Sequence, residues 1–232
     1  MKLVTVAGPP SAGKTSVIIK TVEHFKEENL RIGIIKFDAL STSDNLRYEK
    51  INLPIQVGIS GNLCPDHFFV SNIEDCVNWG KKHKLDILIS ESAGLCNRCS
   101  PHIQDVLAVS VIDNLSGIHT PQKIGPMLKL ADIIVITKGD IVSQAEREVF
   151  AFNVKMVNPR ADIVFVNGIT GQGTFDVSYY IRNSSDIDGL RGSKLRFTMP
   201  ASLCTYCVGE TIIGEEYCRG NVKKMEFKEV AI

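Results

Sequence analysis

Residues 8–15, Gly8-Pro9-Pro10-Ser11-Ala12-Gly13-Lys14-Thr15, satisfy G-x-x-x-x-G-K-[ST] at every fixed position. Such a loop restricts what can flank it, because it works where a buried strand runs into the N-terminus of a helix. Both flanks comply. Residues 2–7 form a short apolar, β-branched run, and Ser16-Val17-Ile18-Ile19-Lys20-Thr21-Val22 opens a helical pattern that reaches about residue 28, with Asn29 as its stop. In that setting Gly8 and Gly13 let the backbone wrap a phosphate chain, and Pro10, Ser11, Ala12 and Ser16 complete the cradle. The Lys14 ammonium faces the β and γ oxygens, and the Thr15 hydroxyl is offered to Mg²⁺. A nucleoside triphosphate is the expected ligand.

The rest of the chain alternates strand-like and helix-like stretches. Strands are expected at residues 31–37, 85–90, 107–112, 132–136 and 161–166, with helices near 123–130, 141–156 and 175–181. The alternation predicts an α/β fold, a P-loop NTPase with a mostly parallel central sheet and helices on both faces. Functional residues should then sit at the carboxyl ends of the strands. Asp38 ends the second run, where it can join the Mg²⁺ shell or orient an attacking water. Glu91-Ser92-Ala93-Gly94 ends the next, with Glu91 as a catalytic carboxylate and the Gly94 backbone N–H as a sensor of the γ-phosphate. Thr137-Lys138-Gly139-Asp140 resembles the base-reading motif of GTPases. The Asp140 carboxylate can accept from N1–H and the 2-amino group of guanine, a donor pair that adenine does not present. Asn167-Gly168-Ile169 stands where GTPases usually carry S-A-K, and Thr170-Gly171-Gln172-Gly173 opens the last helix.

The 232 residues carry 26 basic and 26 acidic side chains, so nothing in the charge balance points to nucleic acid or an anionic membrane as partner. No run of about eighteen apolar residues occurs, and a cytoplasmic protein is expected. Seven cysteines are the unusual feature. In a reducing compartment they point to metal binding, catalysis or burial rather than disulfides. Cys64-Pro65-Asp66-His67 places a thiol and an imidazole three positions apart in what reads as a loop. Cys96 and Cys99 form a C-x-x-C directly behind Gly94, with His102 three residues on. Cys76 lies in a helical stretch and reads as core. After a Ser-, Asp- and Gly-rich linker at 183–195, a C-terminal extension at 196–232, expected to pack on the nucleotide domain at 1–182, carries Cys204, Cys207 and Cys218. A closed site needs four ligands. Cys96, Cys99, Cys204 and Cys207 would complete a zinc or iron–sulfur centre, with Cys218 as an alternative ligand.

Gly-Pro-Pro-Ser-Ala-Gly-Lys-Thr at 8–15, Asp38 with Asp44 behind it, Cys64-Pro65-Asp66-His67, Glu91-Ser92-Ala93-Gly94, Thr137-Lys138-Gly139-Asp140 and Thr170-Gly171-Gln172-Gly173 together resemble the nickel-inserting GTPases of hydrogenase and urease maturation, the CobW/HypB/UreG-type nucleotide-binding family of the SIMIBI class. The likeness covers about residues 1–182. It implies binding and hydrolysis of GTP, GTP-driven homodimerisation, and a Cys64/His67 pair from each subunit holding nickel or zinc at the dimer interface for delivery to a client metalloenzyme or its accessory proteins. The family's C-P-H is C-P-D-H here, its E-S-G-G is E-S-A-G, and the C-x-x-C after Gly94 and the cysteine-bearing tail match neither chaperone pattern. Two rivals remain at this stage: an iron–sulfur ATPase or GTPase that activates or reduces a partner metalloenzyme, and a small-molecule kinase.

Overall fold

The computed structural model describes residues 1–96, 99–197 and 209–229. Seven strands, β1 Lys2–Ala7, β2 Ile32–Asp38, β3 Ile55–Ile59, β4 Ile87–Glu91, β5 Leu107–Asp113, β6 Ile133–Thr137 and β7 Asp162–Val166, form one all-parallel sheet in the order β3-β2-β4-β1-β5-β6-β7. The central strands are buried on both faces, which is why they read as continuous apolar runs instead of alternating patterns.

Six of the strands fall on the expected runs, and β3 does not. It is a five-residue edge strand containing Gln56 and Gly58, so its apolar signal is broken. Packing requires that glycine, since a Cβ at position 58 would stand 2.8 Å from Phe68 Cε1 and 3.2 Å from Phe37 Cδ1.

The chain leaves β1 through α1 (Lys14–Val22) to β2, skipping the position that β4 later fills. The carboxyl ends of β1, β2 and β4 are therefore neighbours, and the loops that follow them open onto one cleft. On one face, Val17, Ile18 and Val22 of α1 pack with Val177 and Ile181 of the last helix against Val4, Val6, Ile89 and Val109. The α-helical geometry ends at Val22; a 3₁₀ segment, Glu23–Glu28, follows and stops at Asn29 in the left-handed conformation (φ 54°). Short helices α2 (Asp44–Glu49), α4 (Thr120–Ile124) and α5 (Pro126–Lys129) lie in the connections, and α6 (Gln144–Val157) starts at a capping box between Ser143 and Glu146.

On the opposite face lies α3, Pro65–Lys82, whose Phe68, Phe69, Ile73 and Val77 pack with Leu3, Ile35, Phe37 and Leu88. Its start corrects an expectation: Cys64-Pro65-Asp66-His67 is no loop. Cys64 is the N-cap and Pro65 the first helical residue, a position where the fixed φ of proline suits a helix and its missing N–H loses nothing. Asp66 and His67 are consecutive helical residues, about 100° apart around the axis.

The last helix, α7 (Thr174–Asn183), is followed by segments that return to the α3 face. Leu190, Leu195, Ile213 and Met225 join the core there, and Cys76 Sγ lies 3.4 Å from Met225 Sδ, a core position as expected. Two side-chain amides pin the 223–228 stretch. Gln56 donates to Lys228 O (2.7 Å) and accepts from Lys228 N (2.9 Å); Asn72 donates to Lys223 O (2.9 Å) and accepts from Met225 N (2.8 Å). Arg196 pairs with both oxygens of Asp132 at 2.7 and 2.8 Å and donates to the carbonyls of Ile103, Val106 and Leu130. No helix among the described residues is long and apolar enough to cross a membrane.

Candidate functional site

A cleft of about 480 Å³ opens at the carboxyl ends of β1, β2 and β4, lined by the phosphate loop together with Lys36, Asp38, Asp44, Glu91 and Ala93. Gly13 (φ 94°) precedes α1, and no side chain caps the helix, so its first N–H groups face the loop interior, an arrangement that binds anions. Lys14 Nζ donates to the carbonyls of Gly8 and Pro9, each at 2.9 Å. Burial lowers its pKa to about 8, with the Glu91 charge partly opposing that fall. Gly94 closes the cleft: at φ 72° its Cβ would lie 1.7 Å from Gly8 O and 3.3 Å from Lys14 Nζ, so only glycine lets the two loops touch.

A network that the sequence reading missed joins these loops. Glu91 Oε1 accepts from Thr15 Oγ1 at 2.8 Å and from Lys36 Nζ at 2.7 Å, and Glu91 Oε2 accepts from Tyr48 OH at 2.6 Å. Lys36 also pairs with Asp44 Oδ2 at 2.9 Å. Burial would raise the Asp44 carboxyl, but hydrogen bonding and charge from Lys36 outweigh it and hold the carboxyl below the usual range. Burial and then Glu91 push the Tyr48 hydroxyl well up. Arg47 Nη2 donates to Ser16 Oγ at 2.9 Å. The signal for Lys36 was there to be read: a lysine inside an otherwise apolar buried strand, where a charge needs a partner. Asp38 lines the cleft, and its Oδ1 accepts from the Ala39 N–H at 2.8 Å.

The segments expected to read the base flank the other end. Thr137 Oγ1 donates to Ala12 O at 2.7 Å, tying the end of β6 to the phosphate loop, and Lys138 Nζ lies 3.5 Å from Asp113 Oδ1. Asp140 is exposed at a recess of about 120 Å³ shared with Gly139, Arg147, Asn167 and Gln172. Asn167 Oδ1 accepts from the N–H groups of Ile169 and Thr170, shaping its own loop, and Gly168 lies against Ser16. Ile169 is exposed.

Beyond Gly94 the chain reaches the thiols. Ligand atoms of Asp66, Cys96 and Cys99 all lie within 4.8 Å of one another. Asp66 Oδ2 is buried and has no hydrogen-bond partner among the described residues. Burial, then the charge of Cys64, raises the Asp66 carboxyl to about 7. The Cys99 thiol is pushed far up by burial, then by Asp66, Cys96 and Cys64. His67 does not join this group. It is fully buried on another side of α3, with Nδ1 3.0 Å from Glu210 Oε2, a close contact that lacks the alignment of a hydrogen bond. Cys218 is also elsewhere: its thiol donates to Gly214 O at 3.4 Å and is raised by burial and then by Glu210. Cys204 and Cys207 lie outside the described residues.

Residues 2–165 match the CobW/HypB/UreG nucleotide-binding domain. The chain belongs to the CobW/HypB/UreG family. The uncharacterized protein MJ0120 of Methanocaldococcus jannaschii is 48% identical over 226 residues, covering 97% of each chain. The urease accessory protein UreG of Haloquadratum walsbyi is 28% identical over 199 residues, 78% of this chain and 94% of the relative. Among solved structures, HypB from Helicobacter pylori in complex with nickel superposes with a TM-score of 0.63 at 18% identity, over 81% of this chain and 91% of that one.

For a CobW/HypB/UreG member, the imidazole nearest the C-x-x-C is an instructive case. His102 follows Cys99 by three residues, yet it is a core residue held between Thr5 and Met127. Its Nε2–H donates to Met127 O at 3.0 Å, and Nδ1 accepts from Thr5 Oγ1 at 3.0 Å. Burial, then Arg196, lowers its pKa from the ordinary 6.5 to about 4. Between these values the unfolded chain binds a proton that the folded chain refuses, so stability falls as pH drops through that window. At pH 4.5 the loss from this residue is on the order of 2 kcal/mol. We expect the stability gap between wild type and His102→Gln in urea unfolding to narrow by roughly that amount between pH 7.5 and 4.5. A constant gap would mean that His102 titrates normally.

Proposed function

We propose that this CobW/HypB/UreG-family chain is a GTP-hydrolysing metallochaperone, acting in the cytoplasm as a homodimer, that couples its nucleotide state to holding a transition-metal ion for a client metalloenzyme. The observation that carries the reading is the continuity of one loop. Gly94, packed on the carbonyl of Gly8 beside Lys14, is two residues from Cys96 of the thiol group.

In this reading Lys14 leaves the carbonyls of Gly8 and Pro9 for the β and γ oxygens, and the first N–H groups of α1 complete the phosphate cradle. The Asp140 carboxylate accepts from guanine, and Asp38 orients the attacking water. The oxygen set suits Mg²⁺. The Thr15 hydroxyl and the Glu91 carboxylate are joined, and Glu91 and Asp44 together already hold one cation, the Lys36 ammonium, with Asp38 lining the same cleft. Mg²⁺ bound with the nucleotide would supply charge neutralisation at the phosphates. Lys36 must then give up at least one of its carboxylates. Because Tyr48 of α2 is bonded to Glu91, that exchange reaches α2 as well as the loop leading to Cys96.

The nickel-bound HypB that shares this fold and the UreG similarity support a metal as cargo. The donor set is thiolate-rich, which suits nickel, zinc or iron rather than magnesium or calcium. The test is metal affinity measured on anaerobically purified protein with a non-hydrolysable GTP analogue and with GDP. We expect the two affinities to differ by about 5-fold or more, the usual scale of coupling between sites. Equal affinities in the two states would remove the coupling.

A further inference from the structure

We propose that the metal is held inside one subunit by Asp66 together with the thiols of Cys64, Cys96 and Cys99, and that His67 is not a ligand. This rests on the metallochaperone reading above and departs from the arrangement that the C-P-D-H motif implies, a Cys/His pair meeting its counterpart across a dimer.

Three independent observations converge. The first is position. The extra residue in C-P-D-H falls in the first turn of α3, so the imidazole is carried about 100° around the axis from the carboxylate before it. Asp66 stands with Cys96 and Cys99, while His67 faces Glu210 of the C-terminal segment with both residues buried. Reaching the thiols would require His67 to leave that partner and turn through the helix that holds it. The second is the unmatched oxygen. Among the described residues no donor reaches the fully buried Asp66 Oδ2, an expensive arrangement unless something else completes it. A cation bound by the neighbouring thiolates is such a partner.

The third is size. Four donors around a tetrahedral zinc-like ion, with metal–sulfur bonds of about 2.3 Å, place sulfurs about 3.8 Å apart. The ligand atoms of Asp66, Cys96 and Cys99, within 4.8 Å of one another, need only side-chain adjustments to close on a single ion. A multi-iron cube would hold its sulfurs farther apart. Cys64 is the N-cap of the same helix, two residues before Asp66, and is assigned as the fourth donor. Three thiolates and one carboxylate fit a borderline divalent ion such as Zn²⁺, Ni²⁺ or Fe²⁺. The carboxylate is the hardest of the four donors and the least suited to such an ion. A recipient's ligand would enter at that corner, which gives a chaperone a way to release what a four-thiolate site would keep.

The experiment is anaerobic titration of the full chain with Co²⁺, following sulfur-to-cobalt charge transfer and the visible bands of tetrahedral cobalt, with the oligomeric state measured alongside. We expect one Co²⁺ per chain, bound by the monomer. Asp66→Ala should weaken binding by about 100-fold or more, since even outer-shell partners of a metal are worth about 10- to 100-fold. Asp66→Cys should keep the site and add one thiolate's share of charge-transfer intensity. His67→Gln should leave the cobalt spectrum unchanged; if that variant is unstable, Glu210→Gln tests the same pair from the other side and should also leave it unchanged. Half a Co²⁺ per chain, bound only by dimer and lost in His67→Gln, overturns the proposal while the metallochaperone reading stands. Full affinity in Asp66→Ala overturns it too. No Co²⁺ binding by the wild-type chain sinks both.

Discussion

Lys14→Ala should lower kcat/KM for GTP hydrolysis by about 10³-fold, with most of the loss in kcat. The size follows from the role. A single preorganised donor aimed at developing charge is worth roughly 10²–10³, and here a full ammonium makes the contact. The fold should survive, because the residue contributes no apolar packing and its burial already penalises its charge. The same burial makes a pH signature. With its pKa near 8, free Lys14 loses its proton just above neutrality, whereas bound phosphate holds the proton on. Wild-type affinity for GTP should therefore fall as pH rises through about 8, by up to about tenfold per pH unit, and the fall should vanish in Lys14→Ala. Stability moves the other way. Between about 8 and 10.5 the unfolded chain holds this proton and the folded chain does not, so the free protein gains stability as pH rises across that window. Titration with a fluorescent GTP analogue from pH 7 to 9.5 reads the affinity. A wild-type profile as flat as that of the variant would mean that the ammonium does not meet the phosphates.

Asp140→Asn should exchange base preference. A carboxylate accepts from two donors on guanine, while an amide presents one donor and one acceptor, which suits xanthine. Sites that bury such pairs reject the wrong partner by as much as 10⁴–10⁵. Asp140 is exposed at its recess, so we expect a smaller effect, about 100-fold weaker GTP binding with xanthosine triphosphate binding gained. Competition between the two nucleotides for wild type and variant decides it. Unchanged GTP affinity would show that the base is read elsewhere and would reopen ATP as the ligand.

Six of the seven strands were legible because parallel strands buried on both sides need unbroken apolar, β-branched runs. The positions of the phosphate loop, Glu91, Gly94 and the segment from Thr137 to Asp140 at strand ends were legible because a backbone turn or a strand end is encoded locally. β3 escaped because an edge strand can carry Gln56 and Gly58, and the reason for both lies outside the strand: Phe68 presses on the glycine, and Lys228 pairs with the glutamine. Lys36 and Tyr48 escaped as site residues because nothing near them in the sequence says that they meet at Glu91.

By itself the sequence determined that a phosphate-loop motif opens a parallel α/β sheet, that acidic residues stand at the mouths of its strands, and that thiols follow the segment from Glu91 to Gly94. Those properties depend on neighbours a few positions away, which is the range over which turns, strands and helix starts are encoded. Only the tertiary structure decided which donors stand together. Whether Asp66 or His67 faces Cys96 and Cys99 depends on where Pro65 starts a helix and how that helix lies on the sheet, and His102 is a core residue because Thr5 and Met127, distant in the chain, occupy both of its nitrogens.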